Sequence, residues 1–324
     1  MIISRTPLRV SFCGGGTDLP NFYRKYGGAV LSMSIARYVY LSMHAYFHGD
    51  GFILKYSQLE TPESRDAIQH RIIREVFSTH GIEGVDFNSS ADVPSGTGLG
   101  SSSAFTVGLL NLCNAYLGRY VGRADLAAQA CDVEIDRLGE PIGKQDQYGC
   151  AIGGLNFIEF HPDDSVTYEA VPLTHAQRRT LEDNLVMLYL GGQRSASAIL
   201  QTQAGAIDSG GSVIDDLKAM AAQAAALRGD LIHDIDCLGP YLDEGWQRKR
   251  RISAGISAPH IDDAYARALA AGATGGKLLG AGGSGFLLFY CPNGTRDAVI
   301  DALRPYAPYD VRLDMIGTTI IYSD

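Results

Sequence analysis

The sequence predicts an α+β protein, and three kinds of pattern carry that prediction. Residues 27–58 alternate apolar side chains with polar or small ones, which is typical of a β meander. Residues 196–229 and 258–271 instead carry alanine-rich patterns with a helical period. The chain closes with a predicted helix near 295–304 followed by two short strands, so both element types occur in the second half as well.

Length and composition fit a globular protein of two domains. The chain has 324 residues, of which 46% are hydrophobic and 19% are charged, so it can bury sizeable cores. The composition changes at residues 161–164, His-Pro-Asp-Asp, directly after a predicted strand. We therefore predict an N-terminal domain over residues 1–165 and a C-terminal domain over residues 166–324.

Charge argues against one large class of partners. The formal net charge of -9 disfavours a general nucleic-acid binder, because the phosphate backbone would be repelled. The basic run at residues 248–251 is expected on a solvated helix face, with contact to an anionic substrate or to another copy of the chain as the alternative. A homo-oligomer is left open.

The cysteines and the apolar runs bear on location. Six cysteines are scattered without CxxC spacing, so the sequence indicates neither a zinc site nor a disulfide framework. No stretch reaches the roughly 18 to 20 apolar residues of a membrane span, and the N-terminus leads directly into a strand pattern. These features favour a cytoplasmic protein with reduced thiols and no membrane partner.

The central motif joins a predicted strand, residues 85–93, to a predicted helix, residues 105–117. Glycines that cannot obstruct a ligand precede hydroxyls on the first helical turn, where unpaired N–H groups and the positive dipole end favour an anion such as a triphosphate. The alternative is a flexible turn whose first serine caps the helix. The spacing is not that of a Walker loop. The glycines and serines concerned are Gly96, Gly98, Gly100, Ser101, Ser102 and Ser103.

Two stretches in the first half carry carboxylates beside turn formers. A predicted strand over residues 2–13 ends in three glycines, Thr17 and Asp18, whose carboxylate can accept hydrogen bonds from hydroxyl groups. The alternative there is a tight turn capped by Asp18. In segment 139–149, Asp146 is flanked by Lys144 and two amides, a composition that keeps a carboxylate ionised and oriented. A surface loop is the alternative.

The second half adds two candidate features. A glycine-rich turn over residues 275–285 enters an apolar strand, and it is either a tight hairpin or a wall of the cleft that contains the first glycine loop. Gly282, Gly283 and Ser284 would form that wall. Arg194 follows a predicted buried strand and could bind an anion, although an exposed loop arginine is the interpretation that the local sequence favours.

Taken in order, these motifs resemble those of the GHMP small-molecule kinases across essentially the whole chain. The resemblance comprises the family's three signature motifs and a galactokinase-like Gly-x-x-Asp-Gln segment at residues 143–147. It implies an N-terminal domain like domain 2 of ribosomal protein S5 and a ferredoxin-like C-terminal domain. Gly-Gly-Gly-Thr-Asp at residues 14–18 is similar to the bacterial D-glycero-D-manno-heptose 7-phosphate kinases, whereas galactokinases usually carry Gly-Glu-His-Thr-Asp.

The resemblance also implies roles for the candidate residues. The glycine loop and its serines would hold the ATP phosphates, and Ser102 with Glu134 would hold Mg²⁺, with Ser101 or Ser103 as substitutes for Ser102. Asp146 would take the proton of the sugar hydroxyl, assisted by Arg9. The predicted sugar contacts are Gly16, Thr17 and Asp18, with Lys144 or Arg194 facing the substrate phosphate.

The implied function is an ATP- and Mg²⁺-dependent kinase for the anomeric hydroxyl of heptose 7-phosphate. Its product would be the 1,7-bisphosphate, used to make nucleotide-activated heptose for capsule or envelope polysaccharide. One alternative is an anomeric kinase for an unphosphorylated sugar such as fucose or galactose. Another is a silent sugar and nucleotide sensor. The mechanism requires the two glycine-lined turns to meet, with Asp146 close to the serines that begin the helix.

Overall fold

The computed structural model describes residues 1–192, 196–252 and 255–324. The strands, in chain order, are β1 (Ile2–Cys13), β2 (Gly28–Ala45), β3 (Phe52–Lys55), β4 (Leu59–Glu60), β5 (Val85–Ala91), β6 (Leu155–Phe160), β7 (Val166–Ala170), β8 (Leu185–Tyr189), β9 (Gly275–Leu278), β10 (Phe286–Tyr290), β11 (Ala307–Asp310) and β12 (Thr319–Ser323). The α-helices, in chain order, are α1 (Pro20–Tyr26), α2 (Arg71–His80), α3 (Ser101–Tyr116), α4 (Arg123–Cys131), α5 (Gln145–Ala151), α6 (His175–Asn184), α7 (Ala196–Ser209), α8 (Ser212–His233), α9 (Leu238–Ile252), α10 (Pro259–Ala270) and α11 (Arg296–Ala302). Within the described ranges, no helix combines the length and the apolar character that crossing a bilayer requires.

The first sheet has eight strands and is built around the long strand β2. Its main path is β12-β1-β2-β5-β3-β4, and β6 and β7 extend it from the first part of β2. With 18 residues, β2 can pair with β6 through residues 28–33 and with β5 through residues 39–45. The predicted meander over residues 27–58 is therefore correct in its strands but not in their pairing, because β5 lies between β2 and β3.

The second sheet is antiparallel, with the order β11-β8-β10-β9. If the four strands of this sheet are numbered in chain order, their order across the sheet is 4-1-3-2. Helices connect the first strand to the second and the third strand to the fourth. This is the β-α-β-β-α-β connectivity of a ferredoxin-like domain, as the resemblance implied. Strands and helices in both units confirm the predicted α+β class.

The buried apolar side chains form two clusters, and the second sheet contributes to both, with Met187 in the cluster of the first sheet and Leu188 in the other. Two helices also contribute to both clusters. On α8, Leu227 and Leu231 belong to the core under the first sheet, whereas Leu217 belongs to the core of the second. On α9, Leu242 belongs to the cluster of the first sheet and Trp246 belongs to the other cluster. These helices therefore pack against both units and hold them together.

The first sheet extends beyond the predicted domain boundary at residue 165. β7 pairs with β6, and the last strand of the chain, β12, pairs with β1. The chain thus returns to the first unit after the second one is complete. Local periodicity predicts such a strand but carries no information about a partner at the opposite end of the chain.

Two predicted segments differ in local structure, and both carry site residues. The predicted helix over residues 123–137 is α-helical only to Cys131 and continues as a π-helix from Asp132 to Arg137. This π-helix carries Glu134, and π-helical turns are frequent at functional sites. Segment 139–149 is more than a surface loop, because α5 begins within it and carries Asp146 in its first turn.

Candidate active site

A cavity of about 390 Å³ lies where the two units meet. Its lining comes from β1, the glycine loop before α3, the π-helix, α5, α7, α9 and the turn between β9 and β10. Residues that were predicted from separate motifs therefore line one cavity. They are Arg9, Gly16, Asp18, Gly96, Gly98, Gly100, Ser101, Ser102, Ser103, Glu134, Asp146, Gly282 and Ser284.

The glycine loop before α3 depends on glycine for its shape. Gly96, Gly98 and Gly100 have φ angles of 72°, 88° and 76°, a left-handed conformation that residues with side chains rarely adopt. The first main-chain bond of α3 runs from the N–H of Ala104 to the carbonyl of Gly100 over 2.8 Å. The three serines before Ala104 precede that bond, so their N–H groups lie at the positive end of the helix dipole and can bind an anion.

The second glycine-rich turn packs directly on the first. A Cβ atom on Gly98 would lie 2.6 Å from the carbonyl oxygen of Leu279, and one on Gly280 would lie 2.4 Å from the Cα atom of Gly98. A Cβ atom on Gly285 would lie 2.4 Å from the carbonyl oxygen of Thr97. The contact is therefore backbone against backbone, and glycine is required where the two turns meet.

Arg9 orients Asp146. From β1, its Nε and Nη2 atoms donate to Oδ1 of Asp146 at 2.9 and 2.6 Å, and Nη1 donates to the carbonyl of Gly98 at 2.7 Å. Burial is the largest single influence and lowers the pKa of Arg9, but the charge and hydrogen bonds of Asp146, together with Cys150 and Asp18, raise this pKa above its ordinary value. One buried guanidinium thus joins the carboxylate to the glycine loop. No hydrogen bond from the described residues reaches Oδ2 of Asp146, so this oxygen is available to a ligand.

Asp18 is fixed at the beginning of α5. Its Oδ1 accepts from the N–H of Gly16 at 2.9 Å and from Nε2 of Gln145 at 3.0 Å, and its Oδ2 accepts from the N–H of Gln145 at 3.2 Å. A Cβ atom on Gly143 would lie 1.9 Å from Oδ2, so glycine is needed for this approach. Burial, and after it the charge of Asp146, raise the pKa of Asp18. The Gly-x-x-Asp-Gln segment therefore brings both carboxylates to one end of the cavity.

Glu134 lies at the centre of a cluster of hydroxyl and amide groups. Its Oε1 accepts from the hydroxyls of Ser102 at 3.3 Å and Thr106 at 2.9 Å. Its Oε2 accepts from the hydroxyl of Ser103 at 2.8 Å and from Nε2 of Gln147 at 2.6 Å. Burial raises the pKa of Glu134 to about 7, although these hydrogen bonds favour the ionised form.

The oxygens of Ser102 and Glu134 fit a Mg²⁺ ion. They are adjacent at the beginning of α3, and Mg²⁺ prefers oxygen ligands while it retains several waters. Across the described ranges, no cluster of three or more His, Cys, Asp or Glu side chains has the arrangement of a metal site. The other ligands of such an ion would therefore be phosphate oxygens and water, and a cation here would favour the ionised form of Glu134.

Thr17 and Gly283, which were predicted as site residues, are not among the residues that line the cavity. The hydroxyl of Thr17 donates to the carbonyl of Gly14 at 2.8 Å, so it stabilises the turn that carries Asp18. The N–H of Gly283 donates to the carbonyl of Ile256 at 2.9 Å. Both residues support the cavity wall from behind.

Lys144 points away from the cavity, and Arg194 lies outside the described residues. The amino group of Lys144 donates to the carbonyl of Asp164 at 2.9 Å and lies 5.0 Å from the ring centroid of Tyr23. The position of Lys144, two residues before Asp146, suggested a contact between them. The amino group of Lys144 is instead directed to Asp164, and its side chain is only 12% exposed.

Lys249 is a cavity residue that the favoured sequence interpretation did not place there. The run at 248–251 was predicted on a solvated helix face, with contact to an anionic substrate or to another copy of the chain as the alternative, and Arg251 does pair with Asp216 at the surface. Lys249, however, is 7% exposed, lines the cavity and donates to the carbonyl of Gly280. It continues the buried face of α9 one turn beyond Trp246, so the helical period was a signal that could have identified it.

Three further polar residues line the cavity without a predicted role. The amino group of Lys277 donates to the carbonyls of Ser11 and Phe12 at 2.8 and 3.0 Å, which joins β9 to β1. Burial lowers the pKa of Lys277 to about 8. The buried hydroxyl of Ser11 and Nε2 of Gln203 have no hydrogen-bond partner among the described residues, and both residues line the cavity.

Two family models match this chain. The model for the GHMP kinases N terminal domain matches residues 67–154, and the model for the GHMP kinases C terminal region matches residues 216–307. Together they cover more than half of the chain. The glycine loop, Glu134 and Asp146 lie in the first match, and Lys249 and the second glycine-rich turn lie in the second.

Individual relatives extend over almost the full length. The D-glycero-alpha-D-manno-heptose 7-phosphate kinase of Campylobacter jejuni is 29% identical over 95% of this chain and 94% of that protein. The bifunctional fucokinase/GDP-fucose pyrophosphorylase of Arabidopsis thaliana is 25% identical over 95% of this chain and 31% of that protein. A crystal structure of a D-glycero-D-manno-heptose 1-phosphate kinase from Bacteroides thetaiotaomicron has the same fold, with a TM-score of 0.82, 23% identity and full coverage of both chains. The chain therefore belongs to the GHMP kinases, a family of ATP-dependent small-molecule phosphotransferases.

Proposed function

We propose that this kinase acts on a sugar, and that it phosphorylates the anomeric hydroxyl of D-glycero-D-manno-heptose 7-phosphate to give the 1,7-bisphosphate. The observation that carries the proposal is the position of Asp146, which Arg9 holds between the glycine loop and Asp18. The Campylobacter heptose 7-phosphate kinase supports the choice of sugar, because the similarity spans both domains. Such a product would serve the synthesis of nucleotide-activated heptose for surface polysaccharide.

The arrangement suggests a direct transfer. Asp18 and the unpaired amide of Gln203 bind sugar hydroxyls, and Oδ2 of Asp146 accepts the proton of the anomeric hydroxyl. The oxygen of that hydroxyl forms a bond to the γ-phosphorus while the bond between the γ-phosphorus and the bridging oxygen of ADP breaks. Because phosphoryl transfer needs mainly positioning and neutralisation of charge, the glycine loop and Arg9 have the principal roles.

Ser102 and Glu134 are the residues that would hold Mg²⁺ beside the nucleotide. When bound, Mg²⁺ neutralises phosphate charge and fixes the orientation of the phosphates. The hydroxyl of Ser103 and the amide of Gln147 position Glu134, so its carboxylate lies at the beginning of α3.

One observation favours a second candidate, a kinase for an unphosphorylated sugar. Lys144, which the resemblance offered for the substrate phosphate, pairs with Asp164 instead of facing the cavity. The Arabidopsis fucokinase is also similar over almost the whole chain. The two candidates differ only in whether the sugar brings its own phosphate.

A substrate panel distinguishes these candidates. Purified protein is given ATP and Mg²⁺ with heptose 7-phosphate, unphosphorylated heptose, mannose, fucose or galactose, and products are identified by mass and by phosphorus NMR. We expect kcat/KM for heptose 7-phosphate to exceed the others by roughly 10- to 100-fold, the contribution of a charge-assisted contact to its phosphate. The coupling of phosphorus to the anomeric proton reports the position of transfer. Faster turnover of another sugar would contradict the substrate assignment.

The contact between the two glycine turns gives a prediction about nucleotide binding. We expect Gly98→Ala to weaken binding of a non-hydrolysable ATP analogue by roughly 10-fold or more, because the new methyl group would lie 2.6 Å from the carbonyl of Leu279 and separate the turns. Gly118→Ala is the matched control, since Gly118 has a similar φ of 68° but nothing within 4 Å of the new methyl group.

Both variants carry the strain of a left-handed alanine, about 1 to 2 kcal/mol of unfolding free energy. Calorimetric titration measures the affinity, and thermal denaturation measures the shared strain. Equal affinity in the two variants would show that the approach of the turns is not needed for the nucleotide.

A further inference from the structure

Lys249 is a buried cation without an ion-pair partner among the described residues. Its side chain is 7% exposed, and no carboxylate oxygen of residues 1–192, 196–252 or 255–324 lies within 4.0 Å of its amino group. The one hydrogen bond that it makes in these ranges goes to the carbonyl of Gly280. An ammonium group has three donors, so two are available to the cavity that Lys249 lines. Burying an incompletely paired ammonium group is costly, which favours a negatively charged ligand there.

The neighbours of Lys249 locate that ligand. Gly280, which accepts its hydrogen bond, is in backbone contact with Gly98 of the glycine loop. The charges that act on Lys249 are those of Lys277 and Arg9, which disfavour its protonation, and those of Asp18 and Asp146, which favour it. Lys249 therefore lies between the anion-binding loop and the two carboxylates of the sugar end, in the region through which a phosphoryl group must pass.

Among the described residues that line the cavity, three cations differ in how fully they are paired. Arg9 is bound to Asp146 and to the glycine loop, and Lys277 donates to two carbonyls of β1. Lys249 makes only one bond to the protein within the described ranges, so it has the most capacity left for a ligand. The described lining also includes four carboxylates, so the case for an anion rests on the unpaired donors of Lys249 and not on the net charge of the cavity. These carboxylates belong to Asp18, Glu134, Glu140 and Asp146.

We propose that the amino group of Lys249 binds a phosphoryl oxygen of the ligand, either on the terminal phosphate of the nucleotide or on the phosphate that the sugar carries. The second source rests on the proposed function, whereas the first requires only that the protein is a kinase. Burial and the neighbouring cations lower the pKa of Lys249 to about 7, which agrees with a group whose counter-charge arrives with the ligand.

The variant Lys249→Met tests the proposal, because methionine retains the length and the apolar packing but not the charge. We expect the affinity for the phosphate-bearing ligand to fall roughly 10- to 100-fold. Arg251→Met is the matched control on the same helix, since Arg251 is 56% exposed and pairs with Asp216 outside the cavity. The control should bind every ligand as the wild-type enzyme does.

The pattern of losses identifies the source of the phosphate. If the sugar supplies it, KM rises for heptose 7-phosphate but not for unphosphorylated heptose, and the affinity for the ATP analogue is unchanged. If the nucleotide supplies it, the analogue binds more weakly and turnover of both sugars declines. Unchanged binding of all three ligands in a folded variant would overturn the proposal. Failure of the wild-type enzyme to use heptose 7-phosphate would refute only the substrate, because titration with the analogue needs no sugar.

A measurement on the wild-type enzyme covers the case in which Lys249→Met does not fold. In protein labelled with ¹³C at the lysine ε carbon, the ATP analogue or heptose 7-phosphate should raise the pKa of Lys249 by about one to three pH units. Unphosphorylated heptose should leave it unchanged. Lys249→Arg identifies the signal by removing it while retaining the charge. A pKa that neither phosphate ligand changes would overturn the proposal.

Discussion

The variant Asp146→Asn is expected to lose roughly 10²- to 10⁴-fold in kcat while it binds the ATP analogue as the wild-type enzyme does. Asparagine retains the Oδ1 atom to which both bonds from Arg9 run, so the side chain and the glycine loop should remain in place. It replaces Oδ2 with an amide that cannot accept a proton from the sugar hydroxyl. The loss should therefore appear in the chemical step and not in the affinity for either substrate.

The experiment compares steady-state turnover with calorimetric titration of the analogue. Asp301→Asn is the control, because Asp301 is 65% exposed and pairs with Arg304 on the surface of the second domain. Single-turnover measurements exclude a change in product release as the cause. If Asp146→Asn retained kcat within a factor of about three, another group would have to accept the proton.

The local parts of this site could be predicted from the sequence. The alternation of Gly96, Gly98 and Gly100 before a run of serines specifies a loop and the beginning of a helix, where backbone N–H groups are available to an anion. The conformation of such a loop depends mainly on its own glycines and not on residues that are distant in sequence. Asp146 was found for a similar reason, since the polar segment around it has turn formers on both sides.

The partners of those groups could not be predicted from local sequence, because they depend on tertiary structure. The neighbourhood of Asp146 suggested Lys144 as its cation, whereas only the family resemblance offered Arg9, 137 positions away, which is the cation that binds it. Residues two positions apart at a helix start point in different directions, so proximity in sequence did not predict contact. The return of β12 to pair with β1 has the same cause.

Lys249 shows a different limit. Its neighbours in the run at 248–251 are arginines, and a basic run is usually solvated. The composition of the run therefore predicted a solvent-exposed side chain for Lys249, which is buried. The helical period places position 249 on the face that buries Leu242 and Trp246, and the period was the better guide. A charged residue on a buried stripe is therefore a useful signal of a site.

The variant Glu134→Gln should have kcat lowered by roughly 100-fold or more, together with a higher Mg²⁺ requirement. Glutamine has the shape of the protonated carboxyl and can keep hydrogen bonds to Ser103 and Thr106, but it lacks the charge that a divalent cation needs. Glu169→Gln is the control, since Glu169 is 68% exposed and pairs with Arg228 far from the cavity. Equal Mg²⁺ dependence of Glu134→Gln and wild-type enzyme would show that the ion is held elsewhere.

The same variant should be more stable than the wild-type protein at alkaline pH when Mg²⁺ and nucleotide are absent. The pKa of Glu134 rises from its ordinary 4.5 to about 7 on folding, so the folded state binds the extra proton and stability falls as pH rises between these values. That interval corresponds to roughly 3 kcal/mol of unfolding free energy, and the variant avoids this loss because its glutamine side chain does not titrate. Denaturant unfolding at pH 5 and pH 8 should therefore show the difference between the two proteins increasing with pH. Because Lys249 and Lys277 titrate in both proteins, they cancel in the comparison, and parallel pH profiles would mean that Glu134 is already ionised in the free enzyme.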